Sequence, residues 1–174
     1  MTCPAGFYCT GEAKITCPTG YYCLENNVKT PCPPGSFNSA TGGQTSTACS
    51  SCPAGYACPN HAMTTGTSVS CAGGYYCSGG ATTDMPKTSG EGGGLCQAGF
   101  YCPLGSSAQV ACDAGKYCPN EGLLEPAGAC QAGYYCSGGS STSIPSGTGG
   151  DICQLGRYCP AGSSAMQSCP NPND

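Results

Sequence analysis

Cysteine is the residue whose number and spacing can do chemistry in this chain. There are 19 among 174 residues. Thiols close disulfides, ligate soft metals or act as nucleophiles, and spacing separates these uses. Structural zinc sites want two Cys-x2–4-Cys hooks. Here only Cys49-Ser50-Ser51-Cys52 has that form, and it stands alone. The recurrent spacing is instead Cys-x5-Cys. Other chemistry is sparse. His61 is the only histidine and sits in a polar stretch between Asn60 and Ala62. The run Glu91–Gly94 follows no strand signal and so reads as a flexible loop, not a phosphate cradle. Asp84, Glu91 and Asp151 are isolated, without the spaced oxygen ligands of a calcium loop. No catalytic residue, metal or cofactor is therefore expected, and the chain reads as a non-enzyme.

Composition excludes further classes. The chain has 29 Gly, 15 Pro, three Phe and no Trp, too little bulky apolar surface for one ordinary core. Cysteine at this density marks a disulfide scaffold, which persists only in oxidising compartments. The five basic residues, Lys14, Lys29, Lys87, Lys116 and Arg157, are scattered. Phosphate neutralisation needs them clustered, so nucleic-acid binding is excluded. No apolar run reaches the roughly 20 residues that span a bilayer, so no membrane insertion is expected in this segment.

The cysteines belong to a repeat. Cys-x-x-Gly-x-aromatic recurs nine times: CPAGFYC (3–9), CPTGYYC (17–23), CPPGSFN (32–38), CPAGYAC (52–58), CAGGYYC (71–77), CQAGFYC (96–102), CDAGKYC (112–118), CQAGYYC (130–136) and CQLGRYC (153–159). A tenth opens at Cys169-Pro170. Two copies depart from the rule: Tyr56 sits one place early, and Asn38 replaces the closing cysteine, with Cys49 as its substitute. All fourteen aromatic residues fall inside the nine motifs, and Gly holds the fourth place in each. A short ring must reverse direction, and Gly takes φ > 0 at little cost. The aromatic supplies the only large apolar side chain of each unit and is expected to pack on the neighbouring disulfide and Gly; the competing role is an exposed platform for sugars or partners.

A longer period overlies the short one. CPAGYACPN matches CDAGKYCPN, CAGGYYCSGG matches CQAGYYCSGG, and CPLGSSAQVAC matches CPAGSSAMQSC. The expected organisation is three modules over 1–51, a three-module super-repeat over 52–111, a second over 112–168 and a truncated module over 169–174. Units of this kind contact mainly their neighbours. The expected fold is small and disulfide-rich: an elongated tandem array of Cys-x5-Cys modules, mostly loops and turns with very short strands and no significant helix. The repeat is in progress at Cys3 and resumes at Cys169. The chain thus reads as a window on a longer exported protein whose signal peptide lies outside this fragment.

Several pairings fit the spacing. In the first, each motif closes on itself: Cys3–Cys9, Cys17–Cys23, Cys32–Cys49, Cys52–Cys58, Cys71–Cys77, Cys96–Cys102, Cys112–Cys118, Cys130–Cys136 and Cys153–Cys159, leaving Cys169 unpaired. In the second, each closing cysteine joins the next opening one, as in Cys9–Cys17, which strands Cys3 and forces Cys49–Cys52. A crossed pattern between neighbouring motifs also fits. The first is preferred, because the extra Cys49 follows the one motif that ends in Asn38.

The stretch CPPGSFNSATGGQTSTACSSCPAG (32–55) resembles the ephrin-receptor-like and growth-factor-receptor-type cysteine-rich repeats. The Cys-x-x-Gly-x-aromatic core is similar to the final loop of an EGF-like module, whose last two cysteines pair together; that resemblance implies the self-closed register. The compact CPAGxYC form resembles repeats of large protist surface and secreted proteins. Most modules close after five residues, unlike the receptor pattern, so the resemblance does not carry over receptor-type ligand binding.

No Asn-x-Ser/Thr sequon occurs. The Ser- and Thr-rich loops suit O-linked sugars instead, with Thr64, Thr65, Thr67, Thr82, Thr83, Ser140, Ser141, Thr142 and Ser143 as candidates. The expected role is structural: part of an extracellular fibre, surface coat, or ciliary or matrix filament. Its partners would be copies of itself or other fibre and matrix proteins. The alternative is the stalk or ligand-binding ectodomain of a cell-surface adhesion receptor.

Overall fold

The computed structural model describes residues 2–169; the continuation of the tenth motif, 170–174, lies outside the described residues. Each motif opens with a turn. In the first, the Phe7 N–H donates to the Pro4 carbonyl at 3.3 Å, with Gly6 third in the turn at φ 83°. A type II turn needs φ > 0 at that residue. The nine motif glycines all lie at φ 79–89°.

The turn releases the chain into a strand, which pairs antiparallel with the residues just before the next cysteine. In this way β1 (Phe7–Thr10) pairs with β2 (Ala13–Thr16), and β3 (Tyr21–Leu24) with β4 (Val28–Pro31). Likewise β5 (Ser36–Phe37) pairs with β6 (Ser50–Ser51), and β7 (Tyr56–Ala57) with β8 (Val69–Ser70). The pattern continues with β9 (Tyr75–Cys77) and β10 (Gly93–Leu95), then β11 (Phe100–Tyr101) and β12 (Val110–Ala111). It ends with β13 (Lys116–Tyr117) and β14 (Gly128–Ala129), β15 (Tyr134–Cys136) and β16 (Gly150–Ile152), and β17 (Arg157–Tyr158) and β18 (Gln167–Ser168). Every sheet among the described residues is thus a two-stranded hairpin joining one motif to the next.

The first two hairpins carry four-residue strands, longer than the later ones, because their connections are tight. Gly11 (φ 62°), Asn26 (φ 64°) and Asn27 (φ 68°) supply the left-handed backbone that short reversals need. Helix is confined, among the described residues, to the 3-10 turns Ser46–Ala48 and Ser89–Glu91, and no helix there is long and apolar enough to cross a membrane. The fold is small and disulfide-rich, mostly loops with short strands.

The chain divides into two compact units. The first runs to Ala72 and adds 76–94 and 105–108; the second takes 73–75, 95–104 and the chain from Gln109. In the first, Cys17, Cys23, Cys32, Cys58, Cys71 and Cys77 are fully buried; in the second, Cys96, Cys102, Cys118, Cys130 and Cys136 are. The core of each unit is therefore mostly sulfur. The aromatics are half-buried along it, apart from the more exposed Tyr158. In the first unit the Lys14 ammonium stands 3.9 Å from the Phe7 ring centre, and Lys29 lies 4.9 Å from Tyr8 and 4.8 Å from Tyr21. Such cation–π contacts hold long side chains flat on the rings.

Candidate functional site

The cysteines form Cys3–Cys9, Cys17–Cys23, Cys32–Cys49, Cys52–Cys58, Cys71–Cys77, Cys96–Cys102, Cys112–Cys118, Cys130–Cys136 and Cys153–Cys159, with Cα–Cα separations of 5.6–6.1 Å. Those separations suit disulfides. Cys169 is free and exposed. Cys49 and Cys52, the one candidate metal hook, are spent in two different disulfides. Among the described residues no three His, Cys, Asp or Glu side chains gather to hold an ion. His61 is exposed in its loop.

What recurs is a junction between rings. The fourth-position Gly of one ring donates its N–H to the carbonyl of the next ring's closing residue. Its own carbonyl accepts from the N–H of the next ring's opening cysteine. Gly6 thus donates to Cys23 at 2.8 Å and accepts from Cys17 at 2.9 Å. The same pair of bonds joins Gly20 to Asn38 and Cys32, Gly35 to Cys58 and Cys52, and Gly55 to Cys77 and Cys71. It then joins Gly74 to Cys102 and Cys96, Gly99 to Cys118 and Cys112, Gly115 to Cys136 and Cys130, and Gly133 to Cys159 and Cys153. All sixteen bonds are 2.7–2.9 Å. A ring closed through two cysteines presents one donor and one acceptor at fixed separation, and the glycine turn of its neighbour fits between them.

A second device locks the first. A left-handed residue lies three or four places after each closing position from the second ring onward, in the loop that follows. Its N–H donates to the opening cysteine of the preceding ring, as Gly42 does to Cys17, Gly80 to Cys52, Gly139 to Cys112 and Gly162 to Cys130. Asn26, Ala62, Gly105 and Gly122 do the same for Cys3, Cys32, Cys71 and Cys96. These eight residues have φ 58–80°. Their carbonyls then cover the ring before that one. Gly42, Ala62, Gly80, Gly105, Gly122, Gly139 and Gly162 each place the carbonyl oxygen less than 3 Å from where a Cβ would stand on Gly6, Gly20, Gly35, Gly55, Gly74, Gly99 and Gly115 respectively. Those seven ring glycines are buried. The motif glycine thus answers two demands, a positive φ and no room for a side chain. Sequence reasoning found the first demand and missed the second.

Two variations show what the junction requires. Asn38 has no sulfur, yet its backbone accepts from Gly20 like any closing cysteine. Its buried amide stands where the closing thiol would be, donating to the Tyr21 carbonyl at 2.9 Å and accepting from the Ala40 N–H at 3.0 Å, while Cys32 pairs with Cys49. At the first ring the Asn27 amide accepts from the Cys9 N–H at 2.6 Å and donates to the Cys9 carbonyl at 2.9 Å, doing with one side chain what two backbone groups do elsewhere.

The sugar-acceptor candidates separate. Thr64, Thr65, Thr67 and Ser141 are exposed, whereas Thr82, Thr83, Thr142 and Ser143 are half-buried. Ser140 must be withdrawn: it is fully buried, and its hydroxyl donates to the Thr142 carbonyl at 2.8 Å. No protein-family model matches the chain, and no curated protein matches it.

Proposed function

We propose that the chain is a structural segment of an extracellular fibre, surface coat, or ciliary or matrix filament, in which the repetition itself is the function. The observation that carries this reading is the junction, built eight times from the same backbone bonds while the loops between change freely. Backbone recognition of this kind is indifferent to side chains and can propagate along an array. Eighteen cysteines locked in disulfides fit an oxidising, exported location. The six-residue separation within most rings supports kinship with the final loop of EGF-like modules. Exposed Thr64, Thr65, Thr67 and Ser141 are the places for O-linked sugars, which would shield the backbone.

The test is extraction of the native source under non-reducing conditions, followed by disulfide and glycan mapping. The expected result is material outside the cell that resists detergent, is released by reductant, and yields ring peptides such as 3–9 and 112–118 internally bonded. Free thiols in a cytosolic fraction would contradict the proposal.

A further inference from the structure

A pull along this chain takes different paths through rings and connections. Cys112 and Cys118 have Cα atoms 5.9 Å apart, whereas the six steps of backbone between them would reach about 21 Å when extended. Load therefore crosses each ring through sulfur and leaves its backbone slack. No disulfide among the described residues joins one ring to another. Between rings, load must run through the chain itself. Of the 156 steps from Cys3 to Cys159, eight rings of six steps and one of 17 take 65 out of tension, leaving 91 in the eight connections.

What folds a connection is non-covalent. In the second unit, the connection between Cys118 and Cys130 is held by the pairs Lys116 with Ala129 and Tyr117 with Gly128, and by Gly115 bonded to Cys130 and Cys136. Hydrogen bonds of this kind are individually modest and re-form when their partners return. Each set serves one junction, so it can yield without its distant neighbours. One connection differs. Cys32–Cys49 encloses the whole loop after the third ring, and only the three steps from Cys49 to Cys52 lie outside a disulfide. The other seven connections have 8 to 19 steps. The enclosed loop also grips the second ring, with the Gly42 N–H on the Cys17 carbonyl and the Gly43 carbonyl on the Cys23 N–H. Tension bypasses that grip.

We propose that the array is an extensible tether, whose inter-ring connections peel out one by one under tension and fold back on release. The disulfides keep every ring closed and limit the extension. At about 3.5 Å per step, the longest connection releases at most about 65 Å, whereas the link from Cys49 to Cys52 releases about 10 Å and is nearly inextensible. A closing-to-opening pairing would do the reverse, bridging the connections and leaving the rings to open. This inference rests on the structural reading above and gives it a mechanical property: length drawn out without breaking a covalent bond.

The experiment stretches and relaxes single oxidised molecules, held by tags fused at both ends with the Cys169 thiol alkylated. The expected record is a series of small events, none longer than about 65 Å, that recur in the same molecule after relaxation. Ten Gly and Ser residues inserted between the exposed Thr67 and Ser68 should lengthen one event by about 35 Å and leave the others alone. The same insert between the exposed Gln44 and Thr45 should lengthen nothing, because it lies inside Cys32–Cys49. Reductant should extend the stretched parent chain by a further length of about 170 Å, the slack of nine rings. A single all-or-none event, events that never recur, an insert at Thr67 that moves no event or all of them, or an insert at Gln44 that lengthens the oxidised chain would overturn the inference. So would an extension indifferent to reductant. The structural reading fails separately: material found reduced and cytosolic sinks it whatever the stretching shows, and material found in an extracellular assembly sustains it even if the oxidised chain yields all at once.

Discussion

Gly115 and Gly156 sit in the same turn, at φ 84° and 79°, and have nothing else in common. Gly115 is clamped by Cys130 and Cys136 and overlaid by the Gly162 carbonyl. No described atom lies within 4 Å of where a Cβ would stand on Gly156. The comparison separates the two reasons for glycine. At Gly156 only the backbone angle requires it. At Gly115 the packing of a later loop requires it as well, and the ring is part of a lattice of main-chain bonds.

Substitution sharpens that contrast. Gly115→Ala combines a strained φ with overlap against backbone that cannot swing aside, and is expected to cost more than about 3 kcal/mol. Gly156→Ala incurs the φ strain alone, about 1–2 kcal/mol. Guanidinium midpoints of the oxidised variants check both; equal losses would break the comparison.

Disulfides follow in size. Replacing Cys32 and Cys49 with serine opens a loop with a separation of 17 residues, against 6 for Cys112 and Cys118. The chain-entropy estimate gives losses of about 3 and about 2 kcal/mol respectively. Thermal unfolding of the two double variants should rank them in that order.

A gain is expected at Ala62. It covers Gly20 from a left-handed φ of 58°, which a Cβ disfavours. Ala62→Gly relieves that strain and should stabilise the chain by up to about 1 kcal/mol. Gly80→Ala, the same change reversed at φ 65°, should lose a similar amount. Both effects are read as shifts in the unfolding midpoint.

The smallest effect is electrostatic. Partial burial lifts the Tyr101 phenol above its ordinary range, helped by the Asp113 charge and by the hydroxyl donating to Asp113 at 3.2 Å, while Lys116 opposes the shift. The folded state therefore holds the proton more tightly than the unfolded one. The associated stability is present below the ordinary phenol value and declines as pH rises beyond it. Asp113→Asn should bring the Tyr101 titration down towards the ordinary value, as followed by tyrosinate absorbance.

The cysteine rings, the fourth-position turn and the scarcity of helix were legible because they are local: spacing sets ring size, and φ > 0 selects Gly. The covering residues were half-legible. Six of eight are glycines three or four places past a closing position, a regularity present in CSGG, CPLG and CPAG. Asn26 and Ala62 hide it, and what each covers depends on packing two rings back, which no local pattern encodes. The burial of Ser140 was available through the longer repeat. CSGGS aligns with CSGGA, and Ala81 is as buried as Ser140. Composition alone made it a loop hydroxyl; alignment made it a core position. Asn38 was readable as a missing cysteine but not as a buried amide that replaces one.

Amide hydrogen exchange at the nine ring glycines tests the junction most directly. In dilute oxidised chain, Gly6, Gly20, Gly35, Gly55, Gly74, Gly99, Gly115 and Gly133 should be protected, by about a hundredfold or more, and Gly156 should exchange freely. Protection scattered among the nine without regard to the clamps, or a Gly156 as slow as Gly115 at high dilution, would contradict the account.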